Sequence, residues 1–319
     1  MLEWQYLTGP AIDALDRDTT VLYLSSSPLE VHGPHLPTCT DIAEADALFE
    51  RMVPKLKARH PEMQFVRLPP LYVAADVLPH VGSIKFRQGT IRRVFDDLGR
   101  SLCSQGFKYI WIGGFHGGPR HFIPIEMAAE AVNRRYDACM ISVFGLMLRE
   151  LTGGRTDLAD VLDHLDGLDR ADLEGDAHGG VVETSMMLHI LGQHVDPVYR
   201  ELEPMTVDLE REKLGLEPLG LEDGGRPSLS KILESLFAKL KYYERNTYSG
   251  APAKASPELG GDIYDVLAEH GANGLSKVWT GQIHPLQAHS PVWKLRWAFA
   301  SEWLTDLVER ALDYRSKVW

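Results

Sequence analysis

The stretch Thr20-Val21-Leu22-Tyr23-Leu24-Ser25-Ser26-Ser27-Pro28-Leu29-Glu30-Val31-His32-Gly33-Pro34-His35-Leu36-Pro37-Thr38-Cys39-Thr40-Asp41 sets the reading of the whole chain. Its first six residues form a short, largely apolar run, which is how a strand buried on both faces reads. From Ile42 to Lys57 the apolar period changes, with Ala45, Leu48, Phe49, Met52 and Val53 recurring at helical spacing. A buried strand, a polar loop and an amphipathic helix make the first half of a parallel crossover unit.

The same order repeats downstream. Gln64 to Leu68 reads as a second strand, and Thr90 to Cys103 as a helix with Thr90 as its N-cap. Ile91, Val94, Phe95, Leu98 and Leu102 share one face of that helix, and Gly106 ends it. Lys108 to Ile112 is a third strand, Ile123 to Tyr136 a helix, and Ala138 to Phe144 a fourth strand. The alternation predicts an α/β fold with a mostly parallel sheet covered on both faces. The second half is less regular. Gly180 to Leu191 and Ser228 to Tyr243 read as helices, and Leu214 to Pro227 as an exposed loop. Val292 to Tyr314 reads as one long closing helix whose Trp293, Leu295, Trp297, Trp303 and Leu307 belong to the core or to a subunit interface. No internal repeat interrupts the chain, so residues 1–319 are expected to form a single domain with an elaborated C-terminal half, about 195–319.

Charge narrows the partners. Lys and Arg number 33 against 45 Asp and Glu, a net charge of −12, whereas nucleic acids and anionic membranes call for a basic surface. Cys39, Cys103 and Cys139 are too few and too scattered for a disulfide framework or a CxxC zinc motif. No apolar run reaches the ~18 residues of a membrane span, and the first residues lack a signal-peptide pattern. These features predict a cytoplasmic protein acting on a small molecule, without nucleic acid or membrane.

The polar cluster Glu30 to Asp41 follows the first strand, where ligands bind in open α/β sheets. In an extended segment Glu30 and His32 project to the same side, and Asp41 returns after a proline-stiffened turn. Two carboxylates and an imidazole suit Zn²⁺, Mn²⁺ or Fe²⁺. A second cluster, Gly113-Gly114-Phe115-His116-Gly117-Gly118-Pro119-Arg120-His121, follows the third strand. A third, Asp176-Ala177-His178-Gly179-Gly180-Val181-Val182-Glu183-Thr184-Ser185, opens a helix. Neither a P-loop, a G-x-G-x-x-G nor a G-x-S-x-G is present.

Taken together, the three clusters resemble the creatininase family of metal-dependent amidohydrolases. Its members carry E-x-H-G-x-H-L-P-x-x-T-D, then N-G-H-G-G-N, then H-A-G-x-x-E-T-S, matched here by Glu30 to Asp41, by Gly113 to Arg120 and by His178 to Ser185. Tyr248 to Glu258 also resembles that family's late G-D-P-x-x-A-s-x-E segment, and the likeness spans roughly residues 15 to 270. The resemblance implies a three-layer α/β/α fold, two divalent metal ions (Zn, Mn or Fe) per chain and a homo-oligomer, commonly a hexamer. It places Glu30 and His116 on one ion, His32 on the other and Asp41 between them, with Glu183 completing the second site as ligand or base. His178 matches a substrate-binding or proton-transferring position. Two ions sharing a carboxylate lower the pKa of a common water towards neutrality, which favours hydrolysis at pH 7.

The departures from the family pattern concern the pocket wall. The family's N-G-H is Gly114-Phe115-His116, and the glutamate that creatininase carries two residues after the motif histidine is Gly118. The segment written G-x-S-x-E-H-x-x-F-P-G-T is Tyr72 to Ser83, with Ala74, Asp76 and Val77 in place of serine, glutamate and histidine, and with His80 new. His80, Arg120 and His121 are the expected substrate-binding residues. The expected function is a metal-dependent hydrolase cleaving a C–N bond of a cyclic amide or formamide. The alternatives are hydrolytic C–C ring opening of an oxidised inositol and a catalytically silent metal-binding assembly protein.

Overall fold

The computed structural model describes residues 1–151, 161–162, 165–166, 168–219 and 229–318. Five strands form one sheet: β1 (Leu2–Glu3), β2 (Thr20–Ser25), β3 (Gln64–Arg67), β4 (Tyr109–Gly113) and β5 (Cys139–Ser142). Their order is β1-β3-β2-β4-β5, and every neighbouring pair is parallel. Helices α1 (Thr40–Arg59), α2 (Gln88–Ser104), α3 (Pro119–Tyr136) and α4 (Val143–Leu151) alternate with the strands. Side chains leave each strand alternately to the two faces. Val21, Tyr23, Phe65, Trp111 and Ile141 enter one apolar layer, which α1 and α4 help to build. Leu22, Leu24, Val66, Ile110, Ile112 and Met140 enter the other, which is closed by α2 and α3. The result is the three-layer α/β/α arrangement that the alternation and the resemblance implied.

Several boundaries differ from the sequence expectation. β1 is a two-residue edge strand too short to show a period. Thr90 lies inside α2, whose N-cap is Arg87 without a side-chain hydrogen bond. α3 begins at Pro119, because proline suits the first turn of a helix, where no N–H partner is needed. The run from Ala138 to Phe144 ends as a strand at Ser142 and continues as α4, since a short apolar run does not distinguish strand from buried helix.

In the second half, α5 (Val181–Leu191) and α6 (Leu229–Tyr243) lie where the periodicity placed them. Residues 214–219 are neither helix nor strand, and the remainder of the expected loop, with Ser228, falls outside the described residues. The longest helix, α7 (Pro257–Trp279), was not legible as one. Ser256 caps it by accepting Leu259 N–H at 3.1 Å. Its glycines depress helix propensity but permit close packing. A Cβ on Gly260 would overlap the carbonyl of Ser185 in α5. Gly260→Ala is therefore expected to cost about 3 kcal/mol or more, by overpacking a backbone contact that cannot swing aside. Chemical denaturation measures this; an unchanged midpoint would show that α7 can move off α5.

The long closing helix is corrected. Pro291–Leu295 form a 3₁₀ turn, followed by α8 (Arg296–Phe299) and, after a break, α9 (Glu302–Ala311). Ser301 makes the break: its hydroxyl accepts Leu304 N–H at 3.2 Å and restarts the helix as an N-cap. Trp297 and Trp303 are 68% and 72% exposed, so this stripe is not core. Among the described residues no helix is long and apolar enough to cross a membrane.

Candidate metal centre

β2 and β4 are neighbours in register, with Ser25 opposite Gly113. The connection from β2 departs through α1 to β3 on one side, and that from β4 through α3 to β5 on the other. The carboxyl ends of such diverging strands leave a crevice, the usual ligand site of an open α/β sheet. The loop after β2 brings Glu30 and His32 there, the first turn of α1 brings Asp41, the loop after β4 brings His116, and the start of α5 brings His178 and Glu183.

Asp41 lies at the centre, 1% exposed. Its Oδ1 is 3.3 Å from His32 Nε2, and its Oδ2 is 3.6 Å from His116 Nδ1. Glu30 Oε2 lies 3.1 Å from His116 Nδ1, and Glu183 Oε2 lies 3.9 Å from His32 Nε2. Three donor groups result, Glu30–Asp41–His116, His32–Asp41–Glu183 and Glu30–His32–His178, each with its ligand atoms within 4.8 Å of one another, and the first two share Asp41.

The outer hydrogen bonds fix which nitrogen faces the centre. His32 Nδ1 lies 3.0 Å from Glu30 O, and His116 Nε2 lies 3.0 Å from Ala75 O. A carbonyl only accepts, so each of these nitrogens carries the proton and the other presents its lone pair inward. Glu30 is oriented by Leu78 N–H, which donates to Oε1 at 2.5 Å. Gly179 N–H donates to Glu183 Oε2 at 2.5 Å. Glu30 Oε2, His32 Nε2 and Asp41 Oδ2 are buried without any hydrogen-bond partner. Buried acceptors converging in this way are costly unless a cation satisfies them. The donor set of carboxylates and imidazoles fits two divalent ions sharing Asp41.

The electrostatics agree. Burial alone would lower the His32 pKa, but Asp41, with Glu183 and Glu30, pushes it up to about 10. Burial likewise opposes a charge on His116, and Glu30 followed by Asp41 raises it to about 9. Burial works upward on Asp41, yet His32 and then His116 hold its carboxyl well below the usual range. The carboxylates thus favour positive charge at the centre. Burial pushes Glu183 up to about 7, against the opposing pull of His32.

His178 stacks on His32 with ring centroids 4.0 Å apart, and its Nε2 lies 2.8 Å from Val31 O. That carbonyl places the proton on Nε2 and leaves Nδ1 as the lone pair. Burial and then the neighbouring His32 lower its pKa to about 4, so the ring is neutral at pH 7. The three expected wall residues are placed differently. His80, half-buried, has Nε2 2.8 Å from Tyr243 O. His121 is buried with Nε2 3.1 Å from Ser26 O, its ring 5.5 Å from that of His116. Arg120 bonds Asp76 and, at 3.0 Å, Glu309. The structure brings none of these three among the grouped ligand atoms.

Some participants were missed. Glu44, one turn after Asp41 on α1, is fully buried with both oxygens unpartnered. Burial, then Glu183 and Asp41, raises its pKa well above the usual value. The i, i+3 spacing from Asp41 was the available signal. Asp176 was seen only as part of a cluster; its Oδ2 accepts Val181 N–H at 2.5 Å and holds the start of α5. The Ala75 carbonyl and Leu78 amide carry no side-chain signature at all.

Buried carboxylates and imidazoles grouped at the switch point of an α/β/α sheet are the donor set that a metal-dependent hydrolase requires. The fold is that of solved creatininases. A creatininase structure with Mn shares 18% identity at a TM-score of 0.58, covering 87% of this chain and 98% of that one. A creatininase variant of Zn-Zn type gives 17% and 0.59 over the same shares. A Bacteroides fragilis protein assigned as a creatinine amidohydrolase gives 17% and 0.57, covering 87% and 96%. No curated protein matches the sequence at a significant level. The family model for creatininase, described as creatinine amidohydrolase, matches residues 5–274. The chain belongs to the creatininase family.

Proposed function

We propose that the protein hydrolyses a C–N bond of a small cyclic amide or formamide at this centre. The observation that carries the reading is the division of Asp41, one oxygen towards His32 and the other towards His116. When bound there, two divalent ions supply a water of lowered pKa and a Lewis acid for the carbonyl. The chain's own residues do the rest. Glu30, His32, Asp41, His116 and Glu183 hold the ions, and the carbonyls of Glu30 and Ala75 keep the imidazoles in the binding tautomer. His178 Nδ1, beside His32, receives and returns the proton that the leaving nitrogen requires. His80, Arg120 and His121 are each engaged by a protein partner and hold the pocket wall in shape.

Creatinine is not the substrate in this reading. The position two residues after His116 is Gly118, and a Cβ there would overlap Asp76 and come within 2.6 Å of His116 Nε2. The wall beside it presents buried Ala74 and Val77. A site that has lost the hydrogen-bond partners of a substrate rejects it strongly. Steady-state kinetics of the metal-loaded enzyme should show no measurable creatinine turnover and clear hydrolysis of a ring amide or formamide. A kcat/KM for creatinine of ~10⁴ M⁻¹s⁻¹ or more, within the ordinary enzymatic range, would overturn it. Turnover restricted to cyclic polyol ketones would replace C–N by C–C cleavage.

A further inference from the structure

Asp76 fills the space beside His116 that Gly118 leaves open. It does so with φ at 63°, a left-handed conformation that a residue bearing a Cβ rarely adopts unless its surroundings hold it there. The hold is visible. Asp76 Oδ2 accepts Arg120 N–H at 2.6 Å, and Oδ1 accepts the Arg120 guanidinium. The residue before it, Ala75, offers the carbonyl that keeps the proton on His116 Nε2 and the lone pair of Nδ1 towards Glu30 and Asp41.

Arg120 is gripped from a second side. Its Nη1 donates to Glu309 Oε1 at 3.0 Å, and Lys85 Nζ lies 3.4 Å from the same oxygen. Glu309 lies on α9, in the stretch beyond the residues that the family model matches. α9 is docked independently, with Gly89 N–H donating to Glu302 Oε1 at 3.1 Å and Gln88 Nε2 donating to Thr305 Oγ1 at 2.8 Å. After it, Lys317 N–H donates to Pro79 O at 3.1 Å, in the same wall segment as Asp76.

We propose that Glu309 is a positioning residue for the His116 half of the metal centre, acting through Arg120, Asp76 and the Ala75 carbonyl. The inference rests on the metal-centre reading and adds to it a residue contributed by the C-terminal stretch. Losing Glu309 leaves Arg120 to turn from Asp76, and the strained loop relaxes away from His116. Direct hydrogen-bond partners of metal ligands typically change metal affinity by ~10–100-fold, and Glu309, acting through them, is expected at the lower end of that range.

The test is titration of the whole metal-free chain with Co²⁺, read by visible absorption and by competition with a chelator. Glu309→Ala should weaken binding by ~10-fold for the ion whose absorption bands His116→Ala abolishes, and should shift those bands. Glu309→Gln, which keeps an acceptor for Arg120, should fall between Glu309→Ala and the parent. It carries the comparison if the alanine variant does not fold. Glu302→Ala, which loosens α9 from Gly89 without touching Arg120, should stay within ~2-fold of the parent. Unchanged Co²⁺ affinity and bands in Glu309→Ala would overturn the inference, as would an equal loss in Glu302→Ala. A parent chain that binds no Co²⁺ would instead sink the metal-centre reading, and this inference with it.

Discussion

Replacement of Asp41 by Ala is expected to remove both metal ions and, with them, the activity. The residue is 1% exposed and its two oxygens face different imidazoles, so it lies between the His32 and His116 sides of the centre. Elemental analysis should show about two ions per parent chain and at most traces in the variant. The loss of affinity should exceed the ~10–100-fold that removal of an outer hydrogen-bond partner costs. His32→Ala and His116→Ala should each empty one half preferentially. Thermal unfolding gives an independent readout, because ligands that bind only the native state raise its stability by mass action. Added Zn²⁺ or Mn²⁺ should therefore raise the melting temperature of the parent but not of Asp41→Ala. Two ions retained by Asp41→Ala would refute its bridging position.

His178→Ala and Glu183→Ala separate proton transfer from ligation. His178 Nε2 is engaged by Val31 O, and its ring lies flat against His32 without displacing it from Asp41. Its loss should leave two ions in place and lower kcat by ~10²–10⁴-fold, the usual effect of a general acid or base. Glu183 lies on the His32 side, so Glu183→Ala should release one ion and lower activity as a consequence. Excess metal should restore part of that activity in Glu183→Ala and none in His178→Ala. Full metal content and full activity in both variants would make the third cluster structural.

The sheet was legible because β2, β3, β4 and β5 are short apolar runs separated by helices with clear periodicity. The donor set was legible because Glu30, His32 and Asp41 crowd one loop, and because the family likeness linked that loop to His116 and Glu183. What escaped depended on tertiary contacts. α7 carries glycines that look unfavourable until α5 is packed against them. α8 and α9 share one hydrophobic stripe, and only the Ser301 cap divides it. Arg120 was expected to bind substrate, but it lies between Asp76 and Glu309, a residue 189 positions away in the chain. No local pattern encodes such a distance.

The two donor groups that share Asp41 are chemically alike, since each combines one imidazole with two carboxylates. Selectivity among first-row divalent metals follows ligand softness and geometry, and here the donor atoms are alike on both sides. A mixed-metal enzyme is therefore not written into the ligand list; occupancy will follow supply, and one metal in excess should fill both positions. The charge count has a consequence of its own. Glu30, Asp41 and Glu183 together neutralise three of the four positive charges that two divalent ions bring, while Glu44, raised towards its neutral form by burial, adds none. Two bound ions would then leave one positive charge in the buried crevice, which hydroxide from the activated water, or a small anion in its place, would balance. Small carboxylates and phosphate should compete with substrate there, more strongly than their bulk affinity for the free metals would suggest.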